Sequence, residues 1–106
     1  MSTLSTHVLD AVRGTPAAGI GVTLLDADGT ESASGTTDAD GRIAALGGEL
    51  TPGTYRLRFD TGPYFAARHV DTFYPEVTIA FTVTDARHYH VPLLLSPFAF
   101  STYRGS

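Results

Sequence analysis

The chain has 106 residues and a formal net charge of −4 with its four histidines neutral; 42% of the residues are hydrophobic and 17% are charged. This length predicts one domain over residues 1–106, and this composition is typical of a folded globular protein. The absence of cysteine excludes a zinc site built on thiolates, and the absence of a basic stripe argues against a nucleic-acid partner.

Short strands separated by turns are predicted for the first half of the chain. Strands are expected over residues 6–10, 20–26 and 31–37, the last of them a polar edge strand. Residues 13–16 turn the chain after the first strand. The Asp-Ala-Asp-Gly segments at 26–29 and 38–41 also predict turns, because Asp and Gly tolerate the backbone geometry that a turn requires.

The second half predicts further strands and one short helix. Residues 54–60 alternate, so Tyr55, Leu57 and Phe59 are expected to face inward. Alternation stops after Gly62-Pro63, where helical spacing of apolar residues predicts a helix over 64–70. The remaining strands are expected over residues 77–83, 88–95 and 98–106. Seven or eight short strands with Gly-, Pro- and Asp-rich turns predict an all-β sandwich.

The candidate reactive groups are imidazoles and guanidinium groups, since the chain has no thiol. They are His7, His69, His88, His90, Arg42 and Arg104, together with the carboxylates. Histidine is the natural general base near neutral pH, although a single histidine in a strand is more often a surface or hydrogen-bonded residue. His69, on the predicted helix, is expected to be a surface or core residue and not a ligand.

Two histidines two positions apart in a strand share one face of a sheet. His88 and His90 could therefore bind a metal with His7 as a third ligand, which a metal analysis of the purified protein would test. The general-base interpretation is preferred, because no carboxylate lies at a spacing typical of a metal site.

The Asp38-x-Asp40-Gly41 pattern lacks the downstream Glu of a calcium loop and is discounted. On position alone, Arg42 is expected to be a charged, solvent-exposed residue in a loop.

Three segments together resemble one known family. The first is Ser5–Asp10 followed by Gly14–Ala17, the second is Thr36–Arg42, and the third runs from His88 to Pro97 and ends in Ser101–Ser106. They resemble the transthyretin-like 5-hydroxyisourate hydrolases over essentially the whole chain. The terminal Tyr-Arg-Gly-Ser is the most specific element, because it stands at the end of the chain beside the histidine motifs.

The resemblance implies an all-β, transthyretin-like, eight-stranded β-sandwich with one short helix. It also implies a homotetramer, a dimer of dimers, with active sites in the channel where the dimers meet. The family's site positions match His7, Arg42, His90, Tyr103, Arg104, Gly105 and Ser106. His88 is expected to support catalysis. Phe98 and Phe100 are expected either at the subunit interface or in the core.

The implied reaction is the hydrolysis of 5-hydroxyisourate in urate degradation. It requires a positioned water, a base and a donor for the developing oxyanion. His7 and His90 are expected to hold and deprotonate the water, and Arg42 to pair with substrate oxygens. Ser106 supplies a hydroxyl, and its carboxylate is expected to fix a neighbouring His or Arg. Arg104 either holds the tail or contacts the substrate. No cofactor or metal is expected.

Two alternatives remain at this stage. A thyroid-hormone-type carrier of the transthyretin fold would bind a small molecule without catalysis, but carriers lack the residues matching His7, Arg42 and His90. A β-sandwich adhesion module would often be monomeric. Fold alone does not separate these classes.

A cytoplasmic location is expected for this bacterial-type chain. No signal peptide is predicted at its N-terminus, and the absence of cysteine favours a reducing compartment. Peroxisomal and periplasmic locations stay open. The longest apolar run, residues 91–95, is too short to span a membrane, so no membrane partner is expected.

Overall fold

The computed structural model describes residues 2–106 of the protein. Within that range the chain forms nine strands and one helix. In chain order these are β1 (Thr3–Asp10), β2 (Thr15–Pro16), β3 (Gly21–Leu25), β4 (Glu31–Thr36), β5 (Arg42–Ile43), β6 (Gly53–Phe59), α1 (Thr61–Ala66), β7 (Val77–Val83), β8 (His88–Ser96) and β9 (Ala99–Thr102). No helix in residues 2–106 is long and apolar enough to cross a membrane.

The strands form two sheets. One has the order β2-β1-β8-β9, with β5 also paired to β1, and the other has the order β4-β3-β6-β7. β1 and β8 run parallel, whereas every other pair is antiparallel. Both sheets contribute apolar side chains to one core, including Val8, Leu24, Leu57 and Leu93. The predicted all-β sandwich with one short helix is confirmed, and two of its strands are only two residues long.

Buried and exposed side chains alternate along β6 as predicted. Tyr55, Leu57 and Phe59 are buried, while Arg56 is exposed and Arg58 is half-buried. A strand with one apolar face can satisfy its backbone in the sheet and still remove that face from water. This pattern is local, which is why it can be recognised in the sequence.

The helix begins earlier than predicted. It starts at Thr61 and ends at Ala66, so Gly62-Pro63 lies in its first turn instead of preceding it. Proline is tolerated there because the first backbone N–H groups of a helix have no intrahelical partner. His69 consequently lies beyond the helix, with a φ of 56° and an exposed side chain.

The two ends of the five-stranded sheet also differ from the prediction. Residues 15–16, predicted as part of a turn, pair with the end of β1 as a short hairpin strand. The last strand ends at Thr102 instead of reaching Ser106. The final residues then return to β8, where the Gly105 N–H donates to the His90 carbonyl over 2.9 Å. The tail therefore lies against the histidine-bearing strand.

Candidate active site

Three of the four histidines, His7, His88 and His90, lie on the outer face of the five-stranded sheet. Parallel pairing places Thr3 opposite His88 and Ser5 opposite His90. The intervening side chains, among them Leu4 and Tyr89, are buried on the core face. Because side chains alternate across a strand, β1 and β8 present their hydroxyl and imidazole groups together on the other face.

Arg42 reaches the same face through a tight turn. It is the cross-strand partner of His7 in the β1–β5 ladder. Upstream, one Asp38 carboxylate oxygen accepts the N–H groups of Asp40 and Arg42, each over 2.9 Å. Gly41 has a φ of 74°, and a Cβ there would overlap the Val8 carbonyl oxygen. Only glycine lets this turn lie so close to β1.

The environment of His7 fixes its neutral tautomer. Its Nε2 lies 2.9 Å from the Asp40 carbonyl oxygen. A carbonyl oxygen only accepts, so Nε2 carries the hydrogen and donates it. Neutral His7 therefore has its lone pair on Nδ1, where it can accept a proton.

A chain of hydrogen bonds links the two histidines of β8. The Ser5 hydroxyl lies 2.7 Å from both His88 Nε2 and His90 Nδ1. His88 Nδ1 is in turn 2.6 Å from the Thr3 hydroxyl. Within residues 2–106, His90 Nε2 makes no hydrogen bond to protein, so the outer nitrogen of His90 is left for a ligand or water.

The surroundings of His90 lower its pKa from the usual 6.5. Burial contributes most, followed by the positive charges of Arg42, His7 and His88, while a hydrogen bond that the His90 ring donates to the Ser5 backbone opposes them. Desolvation and neighbouring cations both disfavour an imidazolium. His90 is therefore neutral at pH 7, which is the state that a general base requires.

The C-terminal tail, residues 103–106, contributes side chains to two clefts. A Cβ on Gly105 would overlap the His90 ring, so glycine is needed for the tail to pass that close. Ser106 lines a cleft of about 310 Å³ on the histidine face. Tyr103 and Arg104 instead line an adjacent cleft of about 300 Å³, where the Arg104 guanidinium lies 4.8 Å from the centre of the Tyr89 ring.

The cleft on the histidine face has the dimensions of a small-molecule site. It is lined by Ser5, Thr6, Arg42, Ile43, Ala44, His88, His90 and Ser106. His7 is not among the lining residues and lies beside the cleft, opposite Arg42. No ion pair to Arg42 occurs within residues 2–106, so its guanidinium is available to an anionic or carbonyl-rich ligand.

A metal site of three or more ligands does not form in the described part of the chain. Both ring nitrogens of His88 already contact hydroxyl groups. The described residues present imidazole lone pairs and a guanidinium on one open surface, which are groups that acid–base chemistry uses.

A family model described as "HIUase/Transthyretin family" matches residues 4–105. The chain belongs to the HIUase/Transthyretin family. Within this family it is 49% identical over 109 residues to a protein of Salmonella typhi named 5-hydroxyisourate hydrolase, a match that covers 97% of the chain and 80% of that relative. The predicted family resemblance is confirmed.

Solved structures of the HIUase/Transthyretin family have the same fold. Klebsiella pneumoniae 5-hydroxyisourate hydrolase superposes with a TM-score of 0.92 at 42% identity, covering 100% of this chain and 94% of that one. Sea bream transthyretin, solved in complex with thyroxine, superposes with a TM-score of 0.90 at 37% identity, covering 96% and 93%. Fold similarity thus does not separate the enzyme from the carrier. That distinction has to come from the site residues.

The site of this family member contains groups that the sequence analysis did not single out. The structure brings His90, Arg42 and Ser106 to one cleft, with His7 beside Arg42. It places Tyr103 and Arg104 in the adjacent cleft, which His90 also lines. The hydroxyls of Thr3 and Ser5 were missed as partners of the imidazoles. The signal was their spacing of four and two residues from His7, which predicts a shared strand face.

Proposed function

We propose that this chain hydrolyses 5-hydroxyisourate, opening its six-membered ring to give 2-oxo-4-hydroxy-4-carboxy-5-ureidoimidazoline in urate degradation. The observation that carries the proposal is the meeting of two imidazoles with an unpaired guanidinium on the open face of β1, β5 and β8. Membership of the HIUase/Transthyretin family, with relatives named 5-hydroxyisourate hydrolase, supports the choice of substrate.

His7 and His90 are the proposed catalytic pair. A neutral His90 offers Nε2 to a water molecule, and its lowered pKa favours the neutral form. His7 offers Nδ1, because its Nε2 donates to Asp40. One imidazole takes the proton of the attacking water and the other orients that water. Every step passes through side chains, with no metal or organic cofactor.

Arg42 is the proposed binding group for substrate oxygens. A planar guanidinium can donate two parallel hydrogen bonds to a ring carbonyl or an oxyanion, which a lysine ammonium cannot copy. The Asp38 carboxylate fixes the backbone from which this side chain extends. The same charge that binds substrate helps keep His90 neutral.

We propose two roles within the tail. Ser106 supplies a hydroxyl at the cleft, and Gly105 permits the approach to His90. Tyr103 and Arg104 hold the tail in place from the adjacent cleft; the stacking of Arg104 on the Tyr89 ring supports an anchoring role over direct substrate contact.

The small-molecule carrier remains the second candidate, supported by the close superposition on sea bream transthyretin. A carrier needs affinity but no base. The open nitrogens of His7 and His90 beside Arg42 favour the hydrolase.

The direct test is the decay of 5-hydroxyisourate generated in the cuvette from urate by urate oxidase. We expect the protein to accelerate the decay in proportion to its concentration. A general base contributes about 10²–10⁴-fold in rate, so His7→Ala and His90→Ala should each lose activity on that scale while remaining folded.

The matched control is His69→Ala, which removes an exposed imidazole away from the cleft. It should leave the rate of decay unchanged. Wild-type turnover in both His7→Ala and His90→Ala would overturn the proposed roles. A folded wild-type protein with no effect on the decay would instead favour the carrier.

A further inference from the structure

The hydroxyl of Ser5 lies between two imidazoles that face the same way on one strand. It is within 2.7 Å of Nε2 of His88 and of Nδ1 of His90, and the sheet holds it there because Ser5 and His90 are register partners. Ser5 is buried, whereas His88 is exposed. The bridge thus links the half-buried candidate base to a second imidazole in contact with solvent.

A serine hydroxyl has one hydrogen, and with that hydrogen placed between the two imidazoles the bridge has two neutral arrangements. In the first, His90 donates from Nδ1 to Ser5, Ser5 donates to His88 Nε2, and His88 donates from Nδ1 to Thr3. In the second, every direction is reversed and His90 carries its hydrogen on Nε2. Of these two arrangements, only the first leaves a lone pair on the nitrogen of His90 that faces the cleft.

We infer that Ser5 and His88 are positioning residues for His90: Ser5 holds the tautomer with a free Nε2 lone pair, and the Ser5 bridge shares with His88 the proton that His90 takes up. This inference rests on the proposed hydrolase activity. The two residues act through His90 and need not touch the substrate.

The proton count of the reaction is satisfied by this bridge. The water oxygen bonds to the ring carbonyl carbon, and one water proton goes to His90 Nε2. The Nδ1 proton then moves to Ser5 as the Ser5 proton moves to His88 Nε2, which leaves the cation on His88. The reverse shift returns the cation to His90, and Nε2 protonates the ring nitrogen as the carbon–nitrogen bond breaks. The second water proton leaves when the new carboxyl group ionises.

Sharing the proton with His88 lowers the electrostatic cost of a positive charge on His90. An imidazolium at His90 is disfavoured by burial and by the charge of Arg42 and His7 around it. His88 is exposed, so water solvates a charge there far better. The exposed member of the pair therefore stabilises the protonated intermediate without bringing water to the cleft.

The test combines kinetics with the tautomer of His90. We expect Ser5→Ala to lower kcat for 5-hydroxyisourate about tenfold with little change in KM, a smaller loss than removal of the general base itself. Nitrogen-15 NMR should show one His90 tautomer, protonated on Nδ1, in the wild type and a mixture of both in Ser5→Ala. Ser5→Thr keeps a hydroxyl and should recover most of kcat.

His88→Gln retains hydrogen-bonding capacity but cannot carry the proton, so it should also lower kcat. If both residues act through one bridge, the double variant Ser5→Ala/His88→Gln should be no slower than the slower single variant. The matched control is Ser96→Ala, which removes a hydroxyl from β8 that bonds only the Ala99 carbonyl over 2.9 Å; its kcat and His90 signals should match the wild type.

Wild-type kcat in Ser5→Ala, or a wild-type His90 protonated on Nε2, would overturn the inference while leaving the hydrolase proposal intact. Additive losses in the double variant would exclude the shared proton. A wild-type protein without hydrolase activity would refute the proposed function, and the NMR signals would then still decide the tautomer held by Ser5.

Discussion

His90 owes its chemical state to residues from three separate parts of the chain. Ser5 approaches its ring from β1, Arg42 lies on β5, and the tail crosses its backbone at Gly105. Burial by these neighbours is the main cause of its lowered pKa, and the charge of Arg42 is the next. The same assembly that encloses the imidazole therefore also keeps it unprotonated.

A titration of His90 tests this directly. Its NMR midpoint should lie below 6.5, and Arg42→Gln should raise that midpoint. The variant removes the charge that lowers the pKa most, while those of His7 and His88 remain. Arg87→Gln is the control, since Arg87 pairs with Asp85 over 2.9 Å and does not act on His90. A wild-type midpoint at or above 6.5 would contradict the structure.

The lowered pKa also sets the sign of a pH effect on stability. Between the folded pKa of His90 and the unfolded value near 6.5, the unfolded chain binds more protons. This group therefore destabilises the fold as pH falls through that window. The acidic limb of kcat/KM should likewise lie below pH 6.5, because His90 must be neutral to act as a base.

Two turns of identical sequence show how one element is used for two purposes. In the Asp26 and Asp38 turns, one carboxylate oxygen accepts backbone N–H groups two and four residues later, at 2.9–3.0 Å. Gly29 and Gly41 have φ values of 80° and 74°. Only the second turn packs against β1, where the Gly41 carbonyl accepts the Val8 N–H over 2.7 Å. The contact with β1 therefore makes the second turn hold the backbone of Arg42 in place.

Gly41→Ala and Gly29→Ala form a matched pair for this element. Both variants should lose about 1–2 kcal/mol for a left-handed alanine. Only Gly41→Ala also forces a Cβ against the Val8 carbonyl, whereas nothing lies within 4 Å at Gly29. We expect Gly41→Ala to be several kcal/mol less stable than Gly29→Ala in urea unfolding and to lose hydrolase activity. Equal losses in the two variants would show that the docking contact is unimportant.

At the scale of the whole molecule, the single chain leaves large apolar side chains in water. Phe73 is 70% exposed and Phe98 is 66% exposed, and Phe100 is also exposed. The alternative that Phe98 and Phe100 face the core is therefore wrong. Strands β7 and β9 are sheet edges. Large exposed apolar side chains and open sheet edges are features of proteins that associate, and they support the proposed homotetramer.

Light scattering tests this proposal. We expect a mass about four times that of the 11.2 kDa chain, and a shift to smaller species in Phe98→Glu, because a carboxylate would have to be buried at the interface. Ser32→Glu adds the same charge to exposed strand β4 of the other sheet and should leave the mass unchanged. A monomeric wild-type protein at all concentrations would refute the tetramer.

The sequence by itself determined the sandwich, most strand positions and the family, because alternation, turn chemistry and short motifs are local properties. It also placed His88 and His90 on one face. Only the tertiary structure decided that Ser5, 85 residues from His90, bridges the two imidazoles, that His7 donates to Asp40, and that the tail divides between two clefts. These features depend on the register between distant strands, and register is fixed by how the whole core packs, which no local pattern encodes.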